Sequence, residues 1–106
     1  MTVWVVHPIN ESLDAALQYG PLRYINGRYI NADELTTSGR IPQGFHQNLF
    51  NMARSFDPFA DYLLIAGDHL QLVVAVAELA AYRGEFRVLR FDRQAQGYFP
   101  VTIGVY

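Results

Sequence analysis

Residues 61–91, DYLLIAGDHLQLVVAVAELAAYRGEFRVLRF, hold two apolar runs separated by a helical stretch, and that order decides the fold class. Asp61-Tyr62-Leu63-Leu64-Ile65-Ala66 has the uninterrupted apolar character of a strand buried on both faces. Gly67-Asp68 supplies a turn and an N-cap, with Gln71 three residues on completing a capping-box pattern. Over residues 70–83 three valines lower helix propensity slightly, but the length and four alanines favour helix. Gly84 stops it, and Phe86-Arg87-Val88-Leu89-Arg90-Phe91 is the next strand. Strands joined through a helix run parallel with a right-handed crossover, so the chain is an α/β protein. Leu64, Val74 and Leu89 are expected to be fully buried.

The helix over 70–83 is apolar nearly all round, since Leu72, Val73, Val74, Val76, Leu79, Ala80 and Ala81 cannot share one stripe. It must be covered on several sides or face a second subunit, and Leu72, Val76 and Leu79 are the expected interface residues. Working outward, Val3-Trp4-Val5-Val6 predicts a central buried strand. Asn10 can cap a helix with Glu11 and Asp14 in its first turn and Leu13, Ala16 and Leu17 on its apolar side, ended by Gly20-Pro21. Asn26-Gly27 between two strand-like runs predicts a hairpin pairing Tyr24 with Tyr29 and Ile25 with Arg28. The alternative is that residues 22–25 join the main sheet and Asn26-Gly27 is only a loop.

Pro42 begins a further helix, whose apolar face is Phe45, Leu49, Met52 and Phe56. After the last helix-to-strand passage come a turn over 92–97 and a strand over 98–105, which Pro100 makes an edge or bulged strand. The expected order is β-α-ββ-α-β-α-β-β, a single three-layer domain over 1–106 with a mixed, partly parallel sheet.

Of the 106 residues, 51% are hydrophobic and only 17% charged, against roughly 25% charged in an average domain. Apolar surface is therefore expected to remain outside, and a homodimer is the expected outlet. A formal net charge of −2 gives no general attraction to phosphate backbones, so nucleic acid is not an expected partner. All eight basic residues are Arg, and those near Tyr24 and Tyr29 (Arg23, Arg28, Arg40) read as a solvated surface before they read as a binding patch. The absence of Cys excludes disulfides and thiolate chemistry. With no signal peptide and no membrane span, a cytoplasmic location is expected.

Open α/β sheets bind ligands beyond the carboxyl ends of their strands, beside helix N-termini. Two stretches belong at that edge: His7-Pro8-Ile9-Asn10-Glu11-Ser12 and Gly67-Asp68-His69. If their strands are neighbours, His7, Asn10, Ser12, Gly67, Asp68 and His69 converge on a site for a phosphate or nucleotide. The competing reading makes Asp68 and Asn10 ordinary caps, Gly67 a tight-turn residue and the histidines loop residues. Glycine-rich phosphate loops, nucleophile elbows and paired-histidine motifs are missing, and His7, His46 and His69 are isolated in sequence, so neither cofactor nor metal is expected.

Val88-Leu89-Arg90-Phe91-Asp92-Arg93-Gln94-Ala95-Gln96-Gly97-Tyr98-Phe99-Pro100-Val101, together with Tyr62-Leu63-Leu64-Ile65-Ala66-Gly67-Asp68, resembles short uncharacterised proteins of tailed bacteriophages. The resemblance covers less than half the chain. It implies a non-enzymatic protein of the host cytoplasm that binds a host or viral protein. The leading expectation is thus a small self-associating binding protein. The second is a ligand-binding or hydrolytic domain centred on Gly67, Asp68 and His69.

Overall fold

The computed structural model describes residues 1–104. Five strands, β1 (Val3–Val5), β2 (Leu22–Tyr24), β3 (Tyr62–Leu64), β4 (Phe86–Asp92) and β5 (Gly97–Ile103), form one sheet in the order β2-β1-β3-β4-β5. The first four are parallel and β5 is antiparallel to β4. As the 61–91 stretch requires, β3 passes through helix α3 (His69–Arg83) to a parallel neighbour, with Leu63 opposite Val88 and Leu64 opposite Leu89. The α/β class and the mixed sheet are both present.

Alternation along the strands splits the core in two. Trp4, Val6, Leu63, Phe86 and Val88 face α3 and α2 (Gln43–Ser55), meeting Leu49, Met52, Phe56, Leu72 and Leu79. Val3, Val5, Tyr62, Leu64, Leu89 and Tyr98 face the other way, against Leu13 and Ala16. Leu64 and Leu89 are fully buried, whereas Val74 is only partly so, at the margin of the α2–α3 cluster. Asp61 anchors the start of the sheet: its buried carboxylate accepts the Thr2 and Asp57 backbone N–H groups at 2.9 Å and the Trp4 indole N–H at 3.2 Å.

Three sequence expectations need correcting. Instead of an Asn10-capped α-helix there is a 3₁₀ helix, Asp14–Tyr19, with Leu13 at its N-cap and no side-chain cap. Leu13, Ala16 and Tyr19 all pack on the sheet, a spacing of three that eclipses on a 3₁₀ helix, while Leu17 is exposed. Nor is there a hairpin at Asn26-Gly27. β2 joins the main sheet beside β1, and the chain then enters a short helix, α1 (Ala32–Ser38), capped by Asn31. The order is β-3₁₀-β-α-α-β-α-β-β.

The polarity that suggested a turn at Asn26 serves a buried contact instead. The Asn26 amide donates to Gln71 Oε1 at 2.6 Å and accepts from Asn48 at 2.8 Å, and Gln71 reaches the Arg28 carbonyl at 3.5 Å. Because the Gln71 side chain is spent there, only half of the expected capping box forms: Asp68 Oδ2 accepts the Gln71 N–H at 2.9 Å.

The outer strand is edge-type, as Pro100 implied. The Leu89 carbonyl accepts from Ile65 N–H at 2.9 Å, so Leu89 turns its polar groups towards β3. Its partner Pro100 therefore forms a non-hydrogen-bonded pair with it and directs its ring nitrogen away from the sheet. Two residues earlier on the same side, the Tyr98 carbonyl accepts the Tyr19 hydroxyl at 2.8 Å. Val105, the last residue of the expected strand, lies outside the described residues.

Candidate functional site

β1 and β3 are adjacent and parallel, with Val3 opposite Tyr62 and Trp4 opposite Leu63. From their carboxyl ends the chain diverges, after β1 to the 3₁₀ helix on one face and after β3 to α3 on the other. Such a divergence leaves a crevice between the two loops.

Three of the residues singled out from sequence hold these loops together. His7 is buried, and its Nε2 accepts the Asp68 backbone N–H at 2.9 Å. Nε2 therefore carries no proton, and the proton sits on Nδ1, which donates to the Pro8 carbonyl at 2.8 Å. Gly67 has φ +104°, and a Cβ there would lie 2.8 Å from Val6 Cγ2 and 3.2 Å from His7 Nε2. Only glycine tolerates both the backbone conformation and the approach. Asp68 caps α3. Both ring nitrogens of His7 and the Asp68 carboxylate are thus committed to structure, which fits the ordinary-cap reading for Asp68.

Above this lock lies a cavity of about 640 Å³, into which Asn10, Ser12, Gly67 and His69 open. Ile9, Ile65, Ala66 and Leu72 supply its apolar surface. Asn10 does not cap a helix; it belongs to the loop that forms one rim. Glu11, from the stretch expected at this edge, lines it too, and sequence reasoning missed three further residues, Phe91, Arg93 and Tyr98. By pattern alone those three belong to a strand and a turn. The available signal was topological: β4 is parallel to β3, so the turn after it must reach the same edge.

The Phe91 and Tyr98 rings meet edge-to-face with centroids 5.2 Å apart. Tyr98 is only 8% exposed, but its hydroxyl, which has no hydrogen-bond partner among the described residues, is the part that reaches solvent. Burial pushes the Tyr98 phenol above its usual range, and the Glu11 carboxylate adds to the shift. Among the described residues no three His, Asp or Glu side chains gather as a metal site, and no hydrogen bond joins Ser12 to either His7 or His69.

The expected interface residues lie elsewhere. Leu72 and Leu79 are buried in the protein's own core, and Val76 is partly buried against it. The exposed large apolar residues of α3 are Leu70, Val73 and Tyr82, with Val73 63% exposed. Among the described residues no helix is long and apolar enough to cross a membrane.

A mostly parallel open sheet with helices on its faces and a crevice at the point of divergence defines an open-sheet α/β protein. Within that class the chain belongs to the phage Pam3 gp32-like protein family, whose model matches residues 2–105. The phage resemblance seen over part of the sequence thus extends along nearly all of it. No curated protein and no solved structure matches the chain.

Proposed function

We propose that the protein binds a small molecule in the crevice beyond β1 and β3. One observation carries this: the cavity of about 640 Å³ lies at the carboxyl ends of two adjacent parallel strands. That is where open α/β sheets hold ligands, and the volume falls within the roughly 300–1,000 Å³ of known ligand pockets. The cavity's lining is mixed, slightly more polar than apolar, so hydrogen bonds and charge count there as much as apolar contact. Binding rather than hydrolysis is the reading, since His7 and Asp68 are already committed.

Self-association through α3 gives way to this reading because Leu72 and Leu79 already serve the protein's own core. The experiment is a two-dimensional amide NMR titration of isotope-labelled protein with a panel of nucleotides, amino acids, sugars and dicarboxylates. Members of one class should shift amides in segments 9–12, 65–70 and 91–98, and Ser12→Trp, which fills the crevice mouth, should abolish the response. A panel that leaves all three segments unmoved would sink the proposal.

A further inference from the structure

Resting on the crevice as a ligand site, we infer that its ligand is a nucleoside monophosphate. Size comes first. A cavity of about 640 Å³ is far roomier than an inorganic phosphate or a lone carboxylate needs, and suits a ligand of several linked groups. The apolar surface is of two kinds. Phe91 is an aromatic residue left 40% exposed at the crevice, held edge-to-face by Tyr98, and Ile65 is 38% exposed at the same place. An exposed ring backed by a second ring is a platform for a planar base.

The polar groups divide by what they demand. Glu11 is an acceptor only, so it calls for hydroxyl or amino donors, which a ribose and a base both carry. The Tyr98 ring is buried but its hydroxyl reaches solvent at the crevice and has no protein partner among the described residues, so it is free to bond a ligand group that displaces water. Arg93 lines the crevice exposed and without a carboxylate partner among the described residues, and His69 joins it at the start of α3. These two side chains provide for an anion.

The helix end contributes less, because the Asp68 carboxylate already offsets its positive pole. With Arg93 as its one fixed cation, the Glu11 carboxylate opposite in sign, and no glycine-rich phosphate loop, the crevice suits a single phosphate better than a di- or triphosphate.

The test is the same NMR titration, run with adenosine, guanosine, cytidine and uridine 5′-monophosphates, the four nucleosides, ribose 5-phosphate and inorganic phosphate. At least one monophosphate should bind and move the 9–12, 65–70 and 91–98 amides together. Arg93→Gln should weaken that monophosphate about ten-fold while leaving the matching nucleoside within about two-fold. Phe91→Ala should weaken nucleotide and nucleoside alike, by about ten-fold. Amide dispersion in the free variants reports that each is folded.

Inorganic phosphate reproducing the whole response would overturn the assignment in favour of a bare anion site. Crevice shifts from amino acids or sugars, with nucleotides silent, would overturn it while leaving the crevice itself as the site. Silence from every compound removes both readings.

Discussion

Replacing Gly67 by Ala tests the lock between the two loops most directly. The residue sits at φ +104°, where an L side chain carries a penalty of about 1–3 kcal/mol. Its new Cβ would stand 2.8 Å from Val6 Cγ2, and Val6 is fully buried in the core. Relieving such an overlap costs about 1–3 kcal/mol more. Even a sum of about 3 kcal/mol is a large part of the roughly 5–15 kcal/mol that stabilises a domain. At about 4–8 °C per kcal/mol, the melting temperature should fall by about 12–24 °C.

Urea denaturation measures the change, with Gly44→Ala as the control. Gly44 lies in the first turn of α2 with open space around it, so alanine there should stabilise by about 0.4–1 kcal/mol. Pairing Gly67→Ala with Val6→Ala removes the struck methyl group, and the double variant should be more stable than the sum of the singles by about 1 kcal/mol. A Gly67→Ala protein within about 0.5 kcal/mol of wild type would refute the close approach.

Three further outcomes are expected. Asp68→Ala should lose about 1 kcal/mol while Asp68→Asn stays nearly neutral in thermal unfolding, because an amide oxygen still accepts the Gln71 N–H. Gln71→Leu should lose about 1–3 kcal/mol in urea denaturation, since it leaves the buried Asn26 amide without its acceptor. Tyr98 supplies a pH dependence of definite sign: its phenol stays protonated in the folded protein at pH values where the unfolded chain has already ionised. Stability should therefore fall as pH rises beyond about 10, and Tyr98→Phe should flatten that decline in urea midpoints measured across the alkaline range.

The parallel core was legible because residues 61–91 carry three independent signals: two strand-like apolar runs, a capped helix and a glycine stop. The segment 10–31 was not legible in the same way. Its apolar residues at 13, 16 and 19 fit a period of three, but a run that short does not separate a 3₁₀ from an α helix without the sheet beneath it. Asn26-Gly27 had the right chemistry for a tight turn, yet burial of the Asn26 amide between Gln71 and Asn48 depends on partners 45 and 22 residues away.

Half of the candidate site followed from chain order alone. Asn10, Ser12, Gly67 and His69 line one crevice, while His7 and Asp68 lie in the hydrogen-bonded lock beneath it, as adjacency of the first and third strands allows. Which of them are consumed by structure depends on donor and acceptor geometry that no spacing encodes. Phe91, Arg93 and Tyr98 needed the strand order before they could be added.

The outer side of β5 bears on how copies of the chain behave when concentrated. Seven residues long and carrying the half-exposed Phe99 and Val101, it would otherwise be a ready template for a strand from another molecule. Pro100 withholds the one donor at its middle, and Tyr19 already occupies an acceptor beside it. At the opposite end the sheet offers only the three residues of β2. Stacking of sheets into fibrils by edge-to-edge growth is thus hindered at both ends, and Pro100 is the position at which a single substitution would restore the missing rung.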